Sequence, residues 1–276
     1  MNRHVEFESG AAACARYRGA NIVYILGEVF SYHLARLLGL RNVHPVVLSR
    51  VSFNSSSQWS TVVDEVQEAG WTDDSLASLS LWVDDLGPTK IPKILSENQK
   101  SALTPSTPGF SQLNITQLME LAQYSDLFVF DYLTAHIDRL VIHREGVHSS
   151  GDESIYGQSP IHNLRRHQKE GGLWVVDNES GLFAGYSFVY SGKHKWQGFV
   201  EEILHSVCIF RRSTVAMVNS LAAMEDPGQF LLQTVYDAEP ELVEKSDHAA
   251  WLNMLSRLKG RIEAVARWIA DCQTRL

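Results

Sequence analysis

The chain has 276 residues, of which 45% are hydrophobic and 20% are charged, and its formal net charge is -8. This composition is typical of a globular protein with one large domain or two lobes. The negative charge argues against a nucleic-acid partner, and the sequence has no apolar run of about 18 residues that would span a membrane.

The first third of the chain predicts a small sheet with one helix. Strands are expected at residues 4–7, 12–17 and 46–53, with a strand or a connector at 79–83. Between them, apolar side chains recur at helical spacing over residues 27–38, and Gly39 follows. This pattern predicts an amphipathic helix that ends at the glycine.

The remainder of the chain is expected to be mostly helical. Prolines among polar residues predict a loop at 90–109, which is the best candidate for a boundary between lobes at 1–92 and 93–276. The other expected segments are a helix at 114–124 whose period continues through the apolar run 127–133, an exposed insertion at 146–170, a strand at 173–176 and a long helix at 251–269. This order predicts an α+β protein with a small sheet lobe and a larger helical lobe.

Two aspartates stand where apolar segments end. Asp138 follows a helical apolar run, and Asp177 follows the strand at 173–176. Carboxylate oxygens at a strand end suit Mg²⁺ or Mn²⁺, which also bridge phosphate oxygens. Ordinary turn roles explain the same patterns, because Asp138 with Arg139 also fits a turn, and a strand often ends in aspartate.

Phosphoryl transfer needs one carboxylate near the acceptor hydroxyl and another that holds the metal. It also needs a cation on the phosphates and an acid that orients this cation. Arg16 on an early strand and Glu28 at the start of the first helix are candidates for these two roles, and a surface ion pair is the alternative. The sequence contains no GxGxxG, GxxxxGK[ST], HExxH or GxSxG pattern.

The cysteines and the glycosylation sequons leave the compartment open. Three widely spaced cysteines fit no zinc-ribbon or redox motif, and either a Cys208–Cys272 pair or three buried thiols are compatible with them. Asn54 and Asn114 begin sequons, which matter only in a secreted protein. Asn114 also fits the cap of the following helix.

Taken together, these segments resemble the four-jointed box kinases, a branch of the secretory kinases that includes the Golgi casein kinase group. The similarity runs over nearly the whole chain. It is carried by CARYR at 14–18, GEVFSYHLARLLGL at 27–40, FDYLTAHIDRL at 130–140, VDNESGL at 176–182 and SVCIFR at 206–211. The resemblance implies an atypical protein-kinase-like fold with two lobes.

The resemblance also implies roles for the candidate residues. Asp138 is expected to orient a Ser or Thr hydroxyl and accept its proton, and Asp177 to bind the metal. Arg16 is expected to bind phosphate, with Glu28 as its helical partner. The implied cofactor is ATP with Mn or Mg.

The same resemblance implies a disulfide between Cys208 and Cys272 and a location in the Golgi lumen, with secretion as a further possibility. The implied substrates are cadherin-repeat proteins of the Fat/Dachsous type, in planar polarity and growth signalling. A membrane anchor is expected upstream of this chain, and the region 1–92 is expected to be N-terminally truncated.

Two residues depart from the family pattern. His136 and His143 stand where relatives commonly have asparagine. His143 is therefore a candidate for the second metal contact, although imidazole suits manganese better than magnesium. Asn163 and Asn178 are alternative sources of the missing amide oxygen.

These departures keep two other functions open. One is a catalytically weak pseudokinase that binds a partner or acts as a secreted signal. The other is a kinase of a small molecule or a glycan.

Overall fold

The computed structural model describes residues 2–98, 101–192, 194–244 and 247–275. Its N-terminal part contains a four-stranded antiparallel sheet in the order β1-β2-β4-β3. The strands are β1 (Asn2–Glu6), β2 (Ala12–Arg16), β3 (Val46–Val51) and β4 (Ser75–Leu81). The three strands predicted at 4–7, 12–17 and 46–53 are confirmed, whereas β4 begins four residues before the predicted segment at 79–83.

Strand β4 begins early because both of its faces are buried. Ala77 and Leu79 contribute to an apolar cluster on one side of the sheet. Ser78 and Ser80 are buried on the opposite side. Small hydroxyl side chains inside the protein remove the alternation of polar and apolar residues by which a half-buried strand is recognised.

Helix α1 (Ile22–Leu37) packs against this sheet. Nine of its residues are buried. It begins five residues before the predicted helix at 27–38 because Ile22 to Leu26 add an apolar turn without clear periodicity, in which Ile25 and Leu26 are buried and Val23 is exposed. Gly39, with φ +75°, follows the helix, so the predicted end is confirmed.

The second face of the sheet is covered by helix α2 (Val63–Glu68) and the 3₁₀ turn Ser60–Val62. Trp59, Val66 and Trp71 form an apolar cluster there with the side chains of the sheet. This cluster is separate from the main core, so the sheet has apolar packing on both sides.

A second antiparallel sheet of three strands lies next to the helical part of the chain, in the order β5-β6-β7. Its strands are β5 (Leu86–Pro88), β6 (Leu164–His167) and β7 (Leu173–Val175). Strand β5 lies within residues 1–92 and pairs with β6, while a parallel bridge joins Val43 to Val175. These contacts connect the two parts of the chain, and the placement of β7 confirms the strand predicted at 173–176.

Most of the second half is helical, as expected. Its helices are α3 (Lys93–Glu97), α4 (Ile115–Thr134), α5 (Ile142–Ser150), α6 (Ile155–Gln158), α7 (Phe183–Val189), α8 (His194–Leu204), α9 (Arg212–Ala222), α10 (Pro227–Ala238), α11 (Glu241–Glu244) and α12 (His248–Thr274). A 3₁₀ turn, Phe110–Gln112, precedes α4, and a π-helical turn, Ile137–Val141, joins α4 to α5. None of the helices in the described part of the chain is long and apolar enough to cross a membrane.

Helix α4 confirms the helix predicted at 114–124 and its continuation through 127–133. Its first turn is held by a capping box in which Asn114 and Gln117 each bond the other's backbone N–H, both at 3.0 Å. Helix α12 likewise confirms the helix predicted at 251–269. Helices α7 to α10 were not predicted.

Two segments predicted as irregular are more ordered than expected. The predicted loop at 90–109 contains α3 and a parallel bridge between Leu103 and Val207, and its residues 99–100 lie outside the described residues. The prediction of an exposed insertion at 146–170 is confirmed for residues 148–154, which are exposed, whereas the rest of the segment contains α6 and β6 and buries Val147, Tyr156 and Ile161. Isolated apolar residues among polar ones give no periodic signal, yet these three are buried.

The main core lies among α1, α4 and the C-terminal helices. Helix α1 contacts α7 and α10, and α12 contacts α4, α9 and α10. A disulfide joins Cys208 to Cys272 near the end of α12, with the two Cα atoms 5.1 Å apart. The third cysteine, Cys14, is a free thiol on β2.

Candidate active site

The two sheets and α1 meet at a cavity of about 380 Å³. Cys14 and Arg16 of β2, Glu28 of α1, and Asp177 line one end. The segment from Leu81 to Leu86 lines the other end, together with His44 and Arg165. Three of the four predicted nucleotide and metal residues therefore share one cavity, although 161 positions separate Arg16 from Asp177.

Arg16 is buried among carboxylates. Its guanidinium Nη1 forms an ion pair with Asp177 Oδ1, and it lies 3.9 Å from Glu28 Oε2 and 3.6 Å from Glu179 Oε2. Burial opposes the charge of Arg16, but Glu28 and Asp177 outweigh this effect and raise the pKa of Arg16 above its ordinary value. Arg16 therefore remains cationic, and it can form two parallel bonds to phosphate oxygens.

Glu28 supports this arginine from inside the protein. Its side chain is 2% exposed, and its Oε1 atom accepts a hydrogen bond of 3.5 Å from Ser80. Burial raises the pKa of Glu28 to about 7, while the charge of Arg16 opposes the rise. Its Oε2 atom lies 3.9 Å from Arg16 Nη1, beyond hydrogen-bond distance, so its role is electrostatic orientation of Arg16.

Asp177 lies in a turn after β7, where its backbone has φ +56°. This left-handed conformation is uncommon outside glycine, and aspartate is among the residues that tolerate it. His136 Nε2 donates a hydrogen bond of 3.1 Å to the Asp177 carbonyl oxygen. The Asp177 side chain is 26% exposed and lines the cavity, while its backbone carbonyl is bonded by His136.

His136, one of the two departures from the family pattern, has a structural role. It is fully buried, and burial lowers the pKa of its imidazole well below its ordinary value. The ring is therefore neutral and acts as a hydrogen-bond donor beneath the Asp177 turn. This position supports the turn and leaves the cavity open.

Asp138 lies in the π-helical turn, with non-helical backbone angles of φ -81° and ψ 25°. Its side chain is 38% exposed, and Asn163 Nδ2 donates a hydrogen bond of 3.1 Å to Oδ2. Burial raises the pKa of Asp138, the neighbouring His162 opposes this rise, and the negative charge of Asp177 adds to it. Asp138 is not among the residues that line the cavity of about 380 Å³, and its turn is joined to the Asp177 turn through Arg139, which bonds the Val176 carbonyl oxygen.

Arg139 connects the segments that carry these aspartates. It is fully buried, and its guanidinium forms an ion pair with Asp131 of α4. It also donates to the carbonyl oxygens of Asn163 and Val176, at 3.0 and 3.1 Å, and to Asn178 Oδ1 at 2.9 Å. The turn in which Arg139 satisfies Asp138 does not form, because this guanidinium bonds groups from three other segments.

Asp131 provides the countercharge inside the core. Burial raises the pKa of Asp131 to about 6, and Arg139 opposes the rise through its charge and its hydrogen bond. A buried charge without a partner is costly, so the pair keeps α4, the Asp138 turn and the Asp177 turn in register. Sequence reasoning missed this role of Asp131, although the residue lies within the FDYLTAHIDRL segment.

A second ion pair closes the end of the cavity near Arg16. Arg18 donates to Glu179 Oε2, with distances of 2.8 Å from Nε and 2.5 Å from Nη2. Neither residue was singled out from the sequence, although both belong to the quoted CARYR and VDNESGL segments. This pair joins β2 to the turn that carries Asp177.

The remaining predicted residues lie elsewhere. His143 Nε2 bonds the Tyr156 carbonyl oxygen at 2.9 Å, which leaves only Nδ1 for a metal, so its metal role stays a prediction. Asn178, an alternative oxygen source, accepts its bond from Arg139. The side chains of Asn54 and Asn114 are exposed, and their glycosylation stays a prediction.

The cavity fits a nucleotide with a divalent cation on the basis of its donor set. Mg²⁺ is usually bound by one or two carboxylates and by substrate phosphates, and Asp177 supplies such a carboxylate. Arg16, beside it, supplies the cation for the phosphates. A larger cavity of about 510 Å³ runs along β1 and α2, and none of the predicted site residues lines it.

The architecture and the cavity together define an atypical protein-kinase-like fold. The Golgi casein kinase with Mn/ADP bound is similar to this chain with a TM-score of 0.53 and 11% identity, covering 98% of this chain and 70% of that structure. Fam20 from hydra, solved with sugar, gives a TM-score of 0.50 and 13% identity, covering 99% of this chain and 82% of that structure. At these identities the likeness shows the fold.

The family follows from the sequence comparisons. The profile of the four-jointed box protein middle domain matches residues 1–275, and the chain belongs to this family. Four-jointed box protein 1 of Homo sapiens is 35% identical over 281 residues, covering 99% of this chain, and the Drosophila melanogaster extracellular serine/threonine protein kinase four-jointed is 30% identical over 269 residues, covering 81%. The chain spans 61% of the human relative and 45% of the fly relative.

Proposed function

We propose that this chain is the catalytic region of a secretory-pathway Ser/Thr kinase that transfers the γ-phosphate of ATP, with Mn²⁺ or Mg²⁺, to a protein hydroxyl. The observation that carries the proposal is the cavity in which Arg16, Glu28 and Asp177 converge, with the Asp138 turn joined to the Asp177 turn through the hydrogen bond from Arg139 to the Val176 carbonyl oxygen. This set of groups matches the needs of phosphoryl transfer. The kinases named among the relatives and structural neighbours support the same class of reaction.

Each side chain has one task in this reaction. Asp138 accepts the proton of the acceptor hydroxyl as the hydroxyl oxygen bonds to the γ-phosphorus and the bond to the bridging oxygen of ADP breaks. Arg16, oriented by Glu28, exchanges its contact with Asp177 for phosphate oxygens. Asp177 would hold the divalent cation, which would neutralise charge on the phosphates when bound.

We propose that the protein resides in the Golgi lumen or is secreted from it. The Cys208–Cys272 disulfide supports an oxidising compartment, because such bonds persist in secreted and lumenal proteins. The exposed side chains of Asn54 and Asn114 are available for glycosylation there. The proposed substrates, cadherin repeats of the Fat/Dachsous type, follow from the family and are to be tested directly.

The test uses the full-length secreted protein with ATP, Mn²⁺ or Mg²⁺, and purified cadherin repeats. We expect phosphate transfer to Ser or Thr, and a fall of at least about 10²-fold in D138N and D177N. The matched control is D226N, which makes the same chemical change at the N-cap of α10, where an amide oxygen also caps. Equal activity in the wild type, D138N and D177N would refute the proposed reaction.

The alternative is a pseudokinase, and the observation that favours it is His143, whose Nε2 atom is bonded to a backbone carbonyl. Calorimetry separates the two functions. The kinase is expected to bind ATP with a strict need for Mn²⁺ or Mg²⁺, and D177N is expected to weaken this binding. Binding of cadherin repeats without metal-dependent binding of ATP would favour the pseudokinase.

A further inference from the structure

Asn163 contacts Asp138 from a distant part of the chain. It lies immediately before β6, is 6% exposed and has φ +55°. Its side-chain nitrogen donates a hydrogen bond of 3.1 Å to Asp138 Oδ2. The amide nitrogen is the group that must face a carboxylate, because two oxygen acceptors would repel each other.

The backbone of Asn163 is also held in place. Its carbonyl oxygen accepts hydrogen bonds from Arg139 Nε at 3.0 Å and from the Val176 N–H at 3.2 Å. Asparagine is enriched in the left-handed region that this position requires. The amide donor is therefore anchored to the same buried arginine that joins the Asp138 and Asp177 turns.

The charged and titratable groups near Asp138 restrain its carboxylate less directly than Asn163 does. His162 lies on the solvent side, with Nδ1 3.8 Å from Oδ2 and 66% of its side chain exposed. The hydrogen bonds of Arg139 go to Asp131 and to three other acceptors, none of which is the Asp138 carboxylate. Asp177 carries a carboxylate, which has no proton to donate to Asp138 when ionised. Among the described residues, Asn163 makes the only side-chain hydrogen bond to the Asp138 carboxylate.

A fixed Oδ2 determines where Oδ1 points. Asp138 has non-helical backbone angles within the π-helical turn, and the Asn163 amide is bonded to its Oδ2 atom. With Oδ2 held by Asn163, Oδ1 stays available for the proton of an acceptor hydroxyl. A general base must lie within hydrogen-bond reach of the proton that it removes, so its orientation affects the rate.

We propose that Asn163 is a positioning residue for phosphoryl transfer, which orients the carboxylate of Asp138 through its amide N–H. This inference rests on the proposed kinase function. It differs from the alternative in which Asn163 supplies an oxygen to the metal. The two roles predict different effects of removing the Asn163 side chain. Loss of a positioning residue lowers kcat, whereas loss of a metal ligand raises the metal concentration that activity requires.

The test compares three variants of the full-length protein with the wild type. N163G keeps the left-handed backbone and removes the donor. N163D keeps the shape but places a carboxylate against Asp138. The matched control is D74G, which replaces another residue with φ +55° by glycine and removes an ion pair with Arg50 in the N-terminal sheet.

We expect N163G to lower kcat by about 10- to 100-fold, with KM for ATP and for the peptide changed by less than about threefold. In N163D we expect the acidic limb of the kcat profile to move to higher pH, because two adjacent carboxylates resist ionisation together. D74G is expected to keep the wild-type kcat. Thermal melting and ATP binding show whether each variant is folded, and N163D provides the test if N163G does not fold.

Three results would overturn the inference. One is an unchanged kcat in folded N163G, and another is a loss of stability in N163D without movement of the acidic limb. The third is a raised Mn²⁺ requirement in N163G with full kcat at saturating metal, which would assign Asn163 to the metal. D138N is measured in parallel, and if it too retains full activity, the proposed kinase function itself fails.

Discussion

Replacing Gly27 with alanine tests whether direct contact between α1 and the Asp177 turn assembles the site. Gly27 precedes Glu28 and is buried. A Cβ atom added there would lie 2.9 Å from the Gly181 carbonyl oxygen and closer still to that of Glu179. Both atoms belong to the backbone, so no side-chain rotation relieves the overlap.

The size of the effect follows from this overlap. A contact at 2.9 Å or less is shorter than the separation of about 3.5 Å at which carbon contacts become favourable, so the turn must move by roughly 1 Å. Overpacking of this kind costs about 1–3 kcal/mol of unfolding free energy. A misplacement of about 1 Å near reacting groups lowers the rate by about 10²-fold.

The assay combines denaturant unfolding with kinase kinetics, and the control is Gly260 in α12. A Cβ atom added at Gly260 would meet no atom of the described residues within 4 Å apart from the backbone of its own helix, so G260A is expected to be neutral or to stabilise the protein by about 0.5–1 kcal/mol. G27A is expected to lose stability and about 10²-fold in activity while keeping the fold. If G27A matched G260A in both measurements, α1 would not restrain the Asp177 turn as described.

Three further predictions concern the core, the disulfide and the pH profile. R139M is expected to lower the free energy of unfolding in denaturant by about 3–5 kcal/mol, because it leaves the buried carboxylate of Asp131 unpaired. A decrease of less than about 1 kcal/mol would contradict this. Replacing Cys208 and Cys272 with serine opens a loop with a sequence separation of 64, so unfolding free energy should fall by about 2–4 kcal/mol, with an unchanged midpoint as the contrary result. Activity should fall on acidification at a pH above the ordinary aspartate value of about 3.9, because burial raises the pKa of Asp138. H162A removes a group that opposes this rise, so the acidic limb should move to still higher pH, and a shift to lower pH would refute this sign.

Much of the fold was predictable because its signals are local. The period of α4, its capping pair and the glycine after α1 are readable from neighbouring residues. Strand β4 and the helices α7 to α10 were harder, because burial on several faces removes the contrast between polar and apolar positions. In the segment 146–170 the exposed stretch 148–154 was predicted, but the buried residues Val147, Tyr156 and Ile161 were missed because they follow no periodicity.

The sequence by itself determined the chemistry of the candidate site. Its four main residues lie in segments that resemble the four-jointed box kinases, namely Arg16, Glu28, Asp138 and Asp177. It did not determine the partners of these residues. A turn that pairs Arg139 with its neighbour Asp138 was one of two interpretations left open by the sequence, whereas the folded protein pairs Arg139 with Asp131 and two distant turns. Only the tertiary structure decides such pairings, because a buried charge takes the partners that the surrounding segments bring within reach, and sequence separation does not limit which those are.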